Sequence, residues 1–132
     1  MLEIGIRGYD DPASGGASLR MWQRYFRRGL VHGLDIADKS RVRGPRIRTV
    51  RGDQGDPALL ADLAERLGPL DIVIDDGSHE NEHVRTSFRT LLPHVRDGGT
   101  PAIVPREATA WKNWRKEVTG TADHGTPVRS DG

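Results

Sequence analysis

Short apolar segments alternate with longer amphipathic segments over the first hundred residues of the chain. The apolar segments are residues 2–6, 30–36, 46–50 and 70–75, with a fifth at 100–104. Continuous apolar character is typical of parallel strands that are buried on both faces. The amphipathic segments are residues 17–28, 56–68 and 80–95. This order predicts an α/β fold, a Rossmann-like doubly wound parallel sheet of about five strands with flanking helices.

The segment 56–68 carries the clearest helix boundaries. Asp56 stands in the N-cap position, Pro57 occupies the first helical position, and Gly68 follows the last turn. We therefore expect a helix that begins after Asp56 and ends at Gly68.

The composition excludes several classes of protein. The chain has 132 residues, a net charge of +1 and no cysteine, so disulfides, thiolate metal sites and a cysteine nucleophile are ruled out. No segment reaches the roughly 18 apolar residues of a membrane span, and no signal-peptide pattern opens the chain. Arginines cluster in residues 19–28 and 41–51, but the near-neutral total favours an ordinary surface over a nucleic-acid interface. We expect a cytoplasmic protein that binds neither nucleic acid nor membrane.

Acidic residues occur at or near the ends of four predicted strands. They are Glu3, Asp35, Asp53 followed by Gln54, and Asp75 followed by Asp76. The carboxyl ends of parallel strands meet at one edge of the sheet, where ligands of such folds bind. Each acid alone could be a solvated loop residue. Together they predict a crevice for a ligand that is cationic or rich in hydroxyl and amino groups, because crowded like charges need an offset.

The glycine-rich segment after the first strand narrows the choice of ligand. A dinucleotide fingerprint that starts at Gly5 would need glycine at the positions of Arg7 and Asp10, so an NAD-dependent oxidoreductase is disfavoured. S-adenosylmethionine fits better, since it carries a sulfonium and an ammonium and no phosphate. Glu3 can meet the ammonium, and Gly5 allows close approach of the backbone.

The remaining donor-site residues follow from the same assignment. Asp35 is placed to accept hydrogen bonds from both ribose hydroxyls, and Asp53 from the adenine amino group, with Gln54 beside it. Gly8 and Ser18 complete the predicted cofactor-binding set.

Four segments also resemble a known family, the macrolide-sugar O-methyltransferases of the mycinamicin and macrocin type. They are "LEIGIRGYDDPASGGASLRMWQRYF", "GLDIADKS", "RGDQGDP" and "DIVIDDGSHENEHVRTSFRTLLPHVRDGGT". The resemblance implies a class I methyltransferase fold, S-adenosylmethionine as methyl donor, and a sugar hydroxyl of a glycosylated natural product as acceptor. It also implies a magnesium ion with Asp75 as a ligand and His79 as the general base. We take the adjacent Asp76 as a second candidate ligand.

These roles are chemically consistent. A hard cation lowers the pKa of a bound hydroxyl, and a nearby imidazole can take the proton as the methyl arrives. The alternative is that Asp76 or Ser78 caps the next helix and that His79 is a solvated residue of its first turn.

The chain departs from the family pattern after residue 100. Val104 and Pro105 stand where the family has Glu-Asp, two further metal ligands, so we expect magnesium to bind weakly. Pro101 and Pro105 each remove a backbone donor from the fifth strand. We assign residues 1–104 to a partial methyltransferase domain and expect 105–132 to be a divergent, disordered tail.

Two further expectations follow from this departure. A truncated or frameshifted copy would leave a sheet edge exposed and would self-associate through it. The alternative to an active enzyme is a non-catalytic remnant that binds S-adenosylmethionine weakly or serves as an interaction module.

Overall fold

Five parallel strands form one sheet in the computed structural model, which describes residues 1–103. The strands are β1 (Leu2–Ile4), β2 (Val31–Asp35), β3 (Ile47–Arg51), β4 (Leu70–Asp75) and β5 (Val95–Ile103). The helices are α1 (Ala17–Tyr25), α2 (Pro57–Leu67) and α3 (Asn81–Leu91), with a short 3₁₀ turn at Leu92–His94. The predicted α/β fold class is confirmed.

The strand order β3-β2-β1-β4-β5 creates a switch point in the centre of the sheet. The chain moves outward from β1 to β3 and then returns to place β4 on the other side of β1. Crossovers that leave in opposite directions open a crevice at the carboxyl ends of the two central strands. The segments that follow β1 and β4 therefore border the candidate site.

The two faces of the sheet pack separate hydrophobic clusters. Ile4, Leu34 and Val73 belong to the cluster that α2 and α3 cover, together with Leu60 and Leu63 of α2. The other face carries a second cluster, which α1 covers; it includes Met1, Ile6, Leu19, Val31, Val42 and Ile47. Because side chains of a strand alternate between faces, neighbouring residues at each strand end are directed to different surroundings.

Three predicted elements extend two or more residues beyond the ends seen in the structure, each for a local reason. Gly5 ends β1 early because its φ of 91° lies in the left-handed region. α1 ends at Tyr25, where the guanidinium of Arg46 donates hydrogen bonds to the carbonyl oxygens of Gln23, Phe26 and Gly29. The third helix ends at Leu91 because Pro93 cannot donate to a preceding turn.

The fifth strand begins earlier than the predicted segment 100–104. It runs from Val95 through Gly98 and Gly99 to Ile103, and its pairing with β4 has a register shift between Leu70 and Ile72. Pro101 lies opposite Val73, on what is an outer strand of the sheet among the residues that the structure describes. A proline that lacks an amide donor is tolerated at such an edge.

Several expectations concern parts of the chain that lie outside the described residues. These are the Val104–Pro105 departure and the predicted tail 105–132. The predicted self-association remains a prediction. Within residues 1–103, no helix has the length and apolar character needed to cross a bilayer.

The N-cap of α2 gives a first test of the fold. The carboxylate of Asp56 accepts hydrogen bonds from the amides of Ala58 and Leu59 at 2.9 and 3.2 Å. Asp56→Ala should lower the free energy of unfolding by about 1 kcal/mol, because two amides lose their acceptor. Urea denaturation checks this, with Glu65→Ala on the exposed side of the same helix as control. Equal effects of the two substitutions would contradict the capping role.

Candidate functional site

Glu3 is a buried carboxylate on the α1 face of the sheet. Ser18 donates its hydroxyl to Oε1, and the indole of Trp22 donates to Oε2 at 2.7 Å. Burial raises the pKa of Glu3, the two hydrogen bonds from α1 lower it, and the charge of Asp76 raises it. Both oxygens are therefore engaged by α1, and the side chain is only 3% exposed.

Asp75 is buried on the opposite face, at the end of β4. Its carboxylate accepts from Nε2 of Gln54 at 3.2 Å, from the amide of Gly77 at 3.2 Å and from the hydroxyl of Ser87 in α3. Gln54 also accepts from the amide of Ser78 at 2.7 Å through Oε1. This network attaches the turn after β4 to both α3 and the segment that precedes α2.

Gly77 is required by the close approach of Gln54. A Cβ at position 77 would overlap the side-chain oxygen of Gln54. The absence of a side chain at Gly77 thus allows the amide of Gln54 to lie against the turn and reach both Asp75 and Ser78.

Asp76 belongs to the other face of the sheet and contacts two strained residues. Its Oδ2 pairs with the exposed guanidinium of Arg7 at 2.8 Å, and its Oδ1 lies 3.5 Å from Nε2 of His79. Arg7 and His79 both have positive φ, 64° and 60°, which costs a non-glycine residue about 1 kcal/mol or more. Oδ1 is buried and has no hydrogen-bond partner among the described residues. The strained backbone of Arg7 and His79 and the unpartnered Oδ1 of Asp76 therefore lie together in the crevice at the switch point of the sheet.

Asp35, at the end of β2, and Asp53, just after β3, accept hydrogen bonds from backbone amides. Asp35 is half-buried; it accepts from the amide of Ile6 at 2.8 Å and from that of Ala37 at 2.9 Å, one on each oxygen. Asp53 is exposed and accepts from the amide of Gly55 at 2.7 Å. Each carboxylate oxygen has more than one acceptor position, so both residues keep capacity for a further donor.

The glycine-rich segment, residues 5–16, folds back on itself between β1 and α1. The amide of Gly16 donates to the carbonyl of Ile6 at 2.9 Å, and Gly15 lies so close to Arg7 that a Cβ there would overlap the Arg7 carbonyl oxygen. The φ of Gly15 is 89°, which also favours glycine. Gly8 lies inside this fold, and Ser18 lies in the first turn of α1 beyond it.

The predicted site residues thus come to one edge of the sheet but not to one pocket. Glu3 is paired with Ile74 across the strands, while Asp75 is paired with Ile4, so the two carboxylates are directed to opposite faces. Asp76 shares the face of Glu3. Gln54 contacts Asp75 and Ser78 rather than an open crevice.

Four side chains that hold the site were not singled out from the sequence: Arg7, Trp22, Lys39 and Ser87. The sequence does contain a pattern that could have identified Ser87, because it is a polar residue within the apolar stripe of α3 that includes Val84 and Leu91. No such pattern marks Lys39, because a lysine in a loop is usually solvated.

The described residues were also compared with the requirements of a magnesium site. Magnesium needs several oxygen ligands in near-octahedral geometry. Asp75 already has donors on both oxygens, and Asp76 offers one oxygen without a hydrogen bond. Within residues 1–103, no group of three or more His, Asp or Glu side chains is arranged to hold a metal ion.

Several characterised enzymes are similar to this chain, although no protein-family model matches it. The 8-demethyl-8-alpha-L-rhamnosyl tetracenomycin-C 2'-O-methyltransferase of Streptomyces olivaceus is 60% identical over 111 residues, 84% of this chain and 29% of that protein. Demethylmacrocin O-methyltransferase of Streptomyces fradiae is 60% identical over 111 residues, with 84% and 28% covered. Mycinamicin VI 2''-O-methyltransferase of Micromonospora griseorubida is 57% identical over 128 residues, with 97% and 32% covered. This chain is homologous to part of the sugar O-methyltransferases. It spans about 30% of the length of these relatives.

Solved structures give the same result for this methyltransferase homologue. MycE methyltransferase from the mycinamycin biosynthetic pathway, in complex with Mg, SAH and mycinamycin VI, is 56% identical with a TM-score of 0.79. That comparison covers 86% of this chain and 29% of the MycE chain. A second crystal form of MycE with Mg and SAH gives a TM-score of 0.79 at 44% identity over 99% of this chain and 38% of that one. The family resemblance and the Rossmann-like fold are confirmed.

Removal of Asp75 tests the buried network of the methyltransferase homologue. Asp75→Ala leaves the amide of Gln54 without this acceptor and the hydroxyl of Ser87 with only the carbonyl of Val84, which should lower the free energy of unfolding by about 1–3 kcal/mol. Asp71→Ala is the control on the same strand, because Asp71 is exposed and its pair with Arg96 should contribute at most about 1 kcal/mol. Chemical denaturation measures both. A loss for Asp75→Ala no larger than that for Asp71→Ala would contradict the network.

The raised pKa of Glu3 gives a pH dependence with a definite sign. The folded protein holds the proton of Glu3 more tightly than the unfolded chain, so this contribution is full below the ordinary value of 4.5 and is lost as pH rises above it. We expect the free energy of unfolding of the native chain to fall relative to that of Glu3→Gln as the pH rises above 4.5. Urea titrations at several pH values measure this, with exposed Glu65→Gln as control. Parallel pH profiles for the native chain and Glu3→Gln would show that the pKa is not raised.

Proposed function

We propose that this chain supplies the S-adenosylmethionine-binding part of a sugar O-methyltransferase that acts on a glycosylated natural product. The observation that carries the proposal is the likeness to MycE, which was solved with SAH, the product that remains when S-adenosylmethionine has given up its methyl group. The domain responsible is residues 1–104, of which all but the last are described.

The donor site proposed here lies between the glycine-rich segment and β2. Asp35 is its central residue, because a half-exposed carboxylate that accepts one amide on each oxygen can still accept a ribose hydroxyl. Asp53, exposed after β3, is proposed to accept from the adenine amino group. Glu3 is buried against α1, so its proposed contribution to the ammonium is a negative potential at the switch point, close to Gly5 and Ser18.

The acceptor side is proposed to lie at the turn after β4. His79 is the candidate general base, because an imidazole can take the proton of a sugar hydroxyl as the methyl is transferred. Oδ1 of Asp76, 3.5 Å from Nε2 of His79, would stabilise the imidazolium that results. Asp75 is proposed to position this turn from the opposite face through Gln54.

Magnesium does not fit the described residues as a complete site. Asp76 is the better candidate ligand of the two acids, because its Oδ1 is unpartnered whereas Asp75 is saturated by internal donors. One carboxylate oxygen is fewer than magnesium requires. When bound in such an enzyme, the ion would acidify the acceptor hydroxyl.

The incomplete magnesium site favours a second candidate function, a non-catalytic module that binds S-adenosylmethionine. The donor-side contacts of Asp35 and the glycine-rich segment are intact in the described residues, whereas the acceptor side lacks a complete metal site.

Calorimetric titration of the chain with SAH and with its 2',3'-dideoxy analogue tests the donor site. We expect SAH to bind, and the analogue to bind about 10- to 100-fold more weakly, because a charge-assisted hydrogen bond contributes about 1.5–3 kcal/mol. In Asp35→Ala the two ligands should bind equally and weakly. Asp38→Ala, an exposed residue of the same loop that accepts from Ser40, is the control and should bind like the native chain.

The outcomes of this titration separate the two functions. Tighter binding of SAH in the presence of magnesium would favour the enzyme, as would transfer of a methyl group from S-adenosylmethionine to the sugar hydroxyl of a glycosylated natural product in a separate incubation. No effect of magnesium on SAH binding and no methyl transfer would favour the binding module. Absence of SAH binding, or equal binding of the dideoxy analogue to the native chain, would refute the donor site.

A further inference from the structure

Lys39 is a buried lysine in the loop between β2 and β3. Its side chain is only 2% exposed. Its Nζ donates to the carbonyl oxygens of Tyr9, Asp11 and Ser14 at 2.5, 2.9 and 3.3 Å. The three donors of the ammonium are therefore all directed to backbone of the glycine-rich segment, and none of the described ion pairs includes Lys39.

The base of this side chain is itself fixed. The backbone oxygen of Lys39 accepts from the amide of Val42 at 2.9 Å and from the hydroxyl of Thr49 in β3 at 3.1 Å. The ammonium thus joins the sheet to residues 8–15, none of which is buried.

The glycine-rich segment needs such support. Arg7 and Tyr9 have positive φ, 64° and 46°, and each costs about 1 kcal/mol or more. Tyr9 is 91% exposed, so burial of its ring does not repay that strain. A segment with strained backbone and exposed side chains keeps one conformation only if polar contacts hold it.

We infer that Lys39 is a positioning residue whose buried ammonium holds residues 8–15 in the conformation that borders the donor site. The three carbonyl contacts support the positioning of residues 8–15 by Lys39. The expected effect on ligand binding rests in addition on the proposed function. Without Lys39 only a fraction of molecules would present the ordered segment, and the apparent affinity for the donor would fall by that fraction.

Arg46 provides a matched control at the other end of the sheet. Its guanidinium also donates to three carbonyl oxygens, those of Gln23, Phe26 and Gly29. Because Arg46 precedes β3, it lies at the amino edge of the sheet, away from the crevice. A cation that only stabilises the fold should behave in the same way at either position.

The experiment compares Lys39→Met and Arg46→Met by hydrogen exchange and by SAH titration. Methionine has nearly the length of lysine but no donor. In Lys39→Met, amides of residues 8–15 should lose most of their protection while those of β1 and β4 do not change. With about one molecule in ten presenting the ordered segment, SAH affinity should fall about tenfold. In Arg46→Met, exchange should rise around α1, and SAH affinity should stay within about twofold of the native value.

Each result decides the inference. Native exchange rates in residues 8–15 of Lys39→Met, or a uniform loss of protection across the sheet, would overturn it. If Lys39→Met does not fold, Lys39→Gln keeps two donors on a shorter side chain and should show an intermediate rise confined to the same residues. If the native chain binds no SAH, the donor site fails, and the exchange rates alone decide whether Lys39 holds the segment.

Discussion

Two carboxylates, Glu3 and Asp75, are buried in this sheet, and each must be given hydrogen-bond donors. An ionised carboxylate loses its hydration on burial, and this loss is tolerated only where donors replace water. Ser18 and Trp22 of α1 supply them to Glu3, while Gln54 and other polar groups supply them to Asp75. The helices and loops around the switch point are therefore fixed by these two acids as much as by the hydrophobic clusters.

This constraint explains why two aspartates stand side by side where β4 ends. Successive side chains at a strand end are directed to opposite faces, so Asp75 and Asp76 contact different groups. Asp75 is buried with its donors, and Asp76 contacts Arg7 and His79 near the crevice. The neighbours divide two roles that the sequence alone would assign to either: one holds the turn, and the other presents a carboxylate oxygen beside the proposed base.

Much of this architecture could be predicted from the sequence because apolar periodicity and glycine positions are local properties. The parallel sheet and the gathering of acids at one edge follow from alternation of strands and helices, whereas the order of the strands is seen only in the structure. The faces could not be predicted, because they depend on how strands pair: Glu3 lies opposite Ile74 and Ile4 opposite Asp75. A shift of one residue in that pairing would reverse the assignment. Lys39 was missed for a similar reason, since its partners are carbonyl groups, which are the same in every residue.

The contacts at the carboxyl edge connect the loops into a closed series. Lys39 joins the loop after β2 to the glycine-rich segment, and Arg7 joins that segment to Asp76 in the turn after β4. Gln54 joins the same turn to the segment after β3. In β3 the hydroxyl of Thr49 donates to the backbone oxygen of Lys39, which closes the series. Each loop is thus held from both sides, so a ligand that displaces one of them must work against its neighbours as well. Preorganisation of this kind lowers the entropy lost on binding, and it resides in polar contacts between loops rather than in the hydrophobic clusters beneath them.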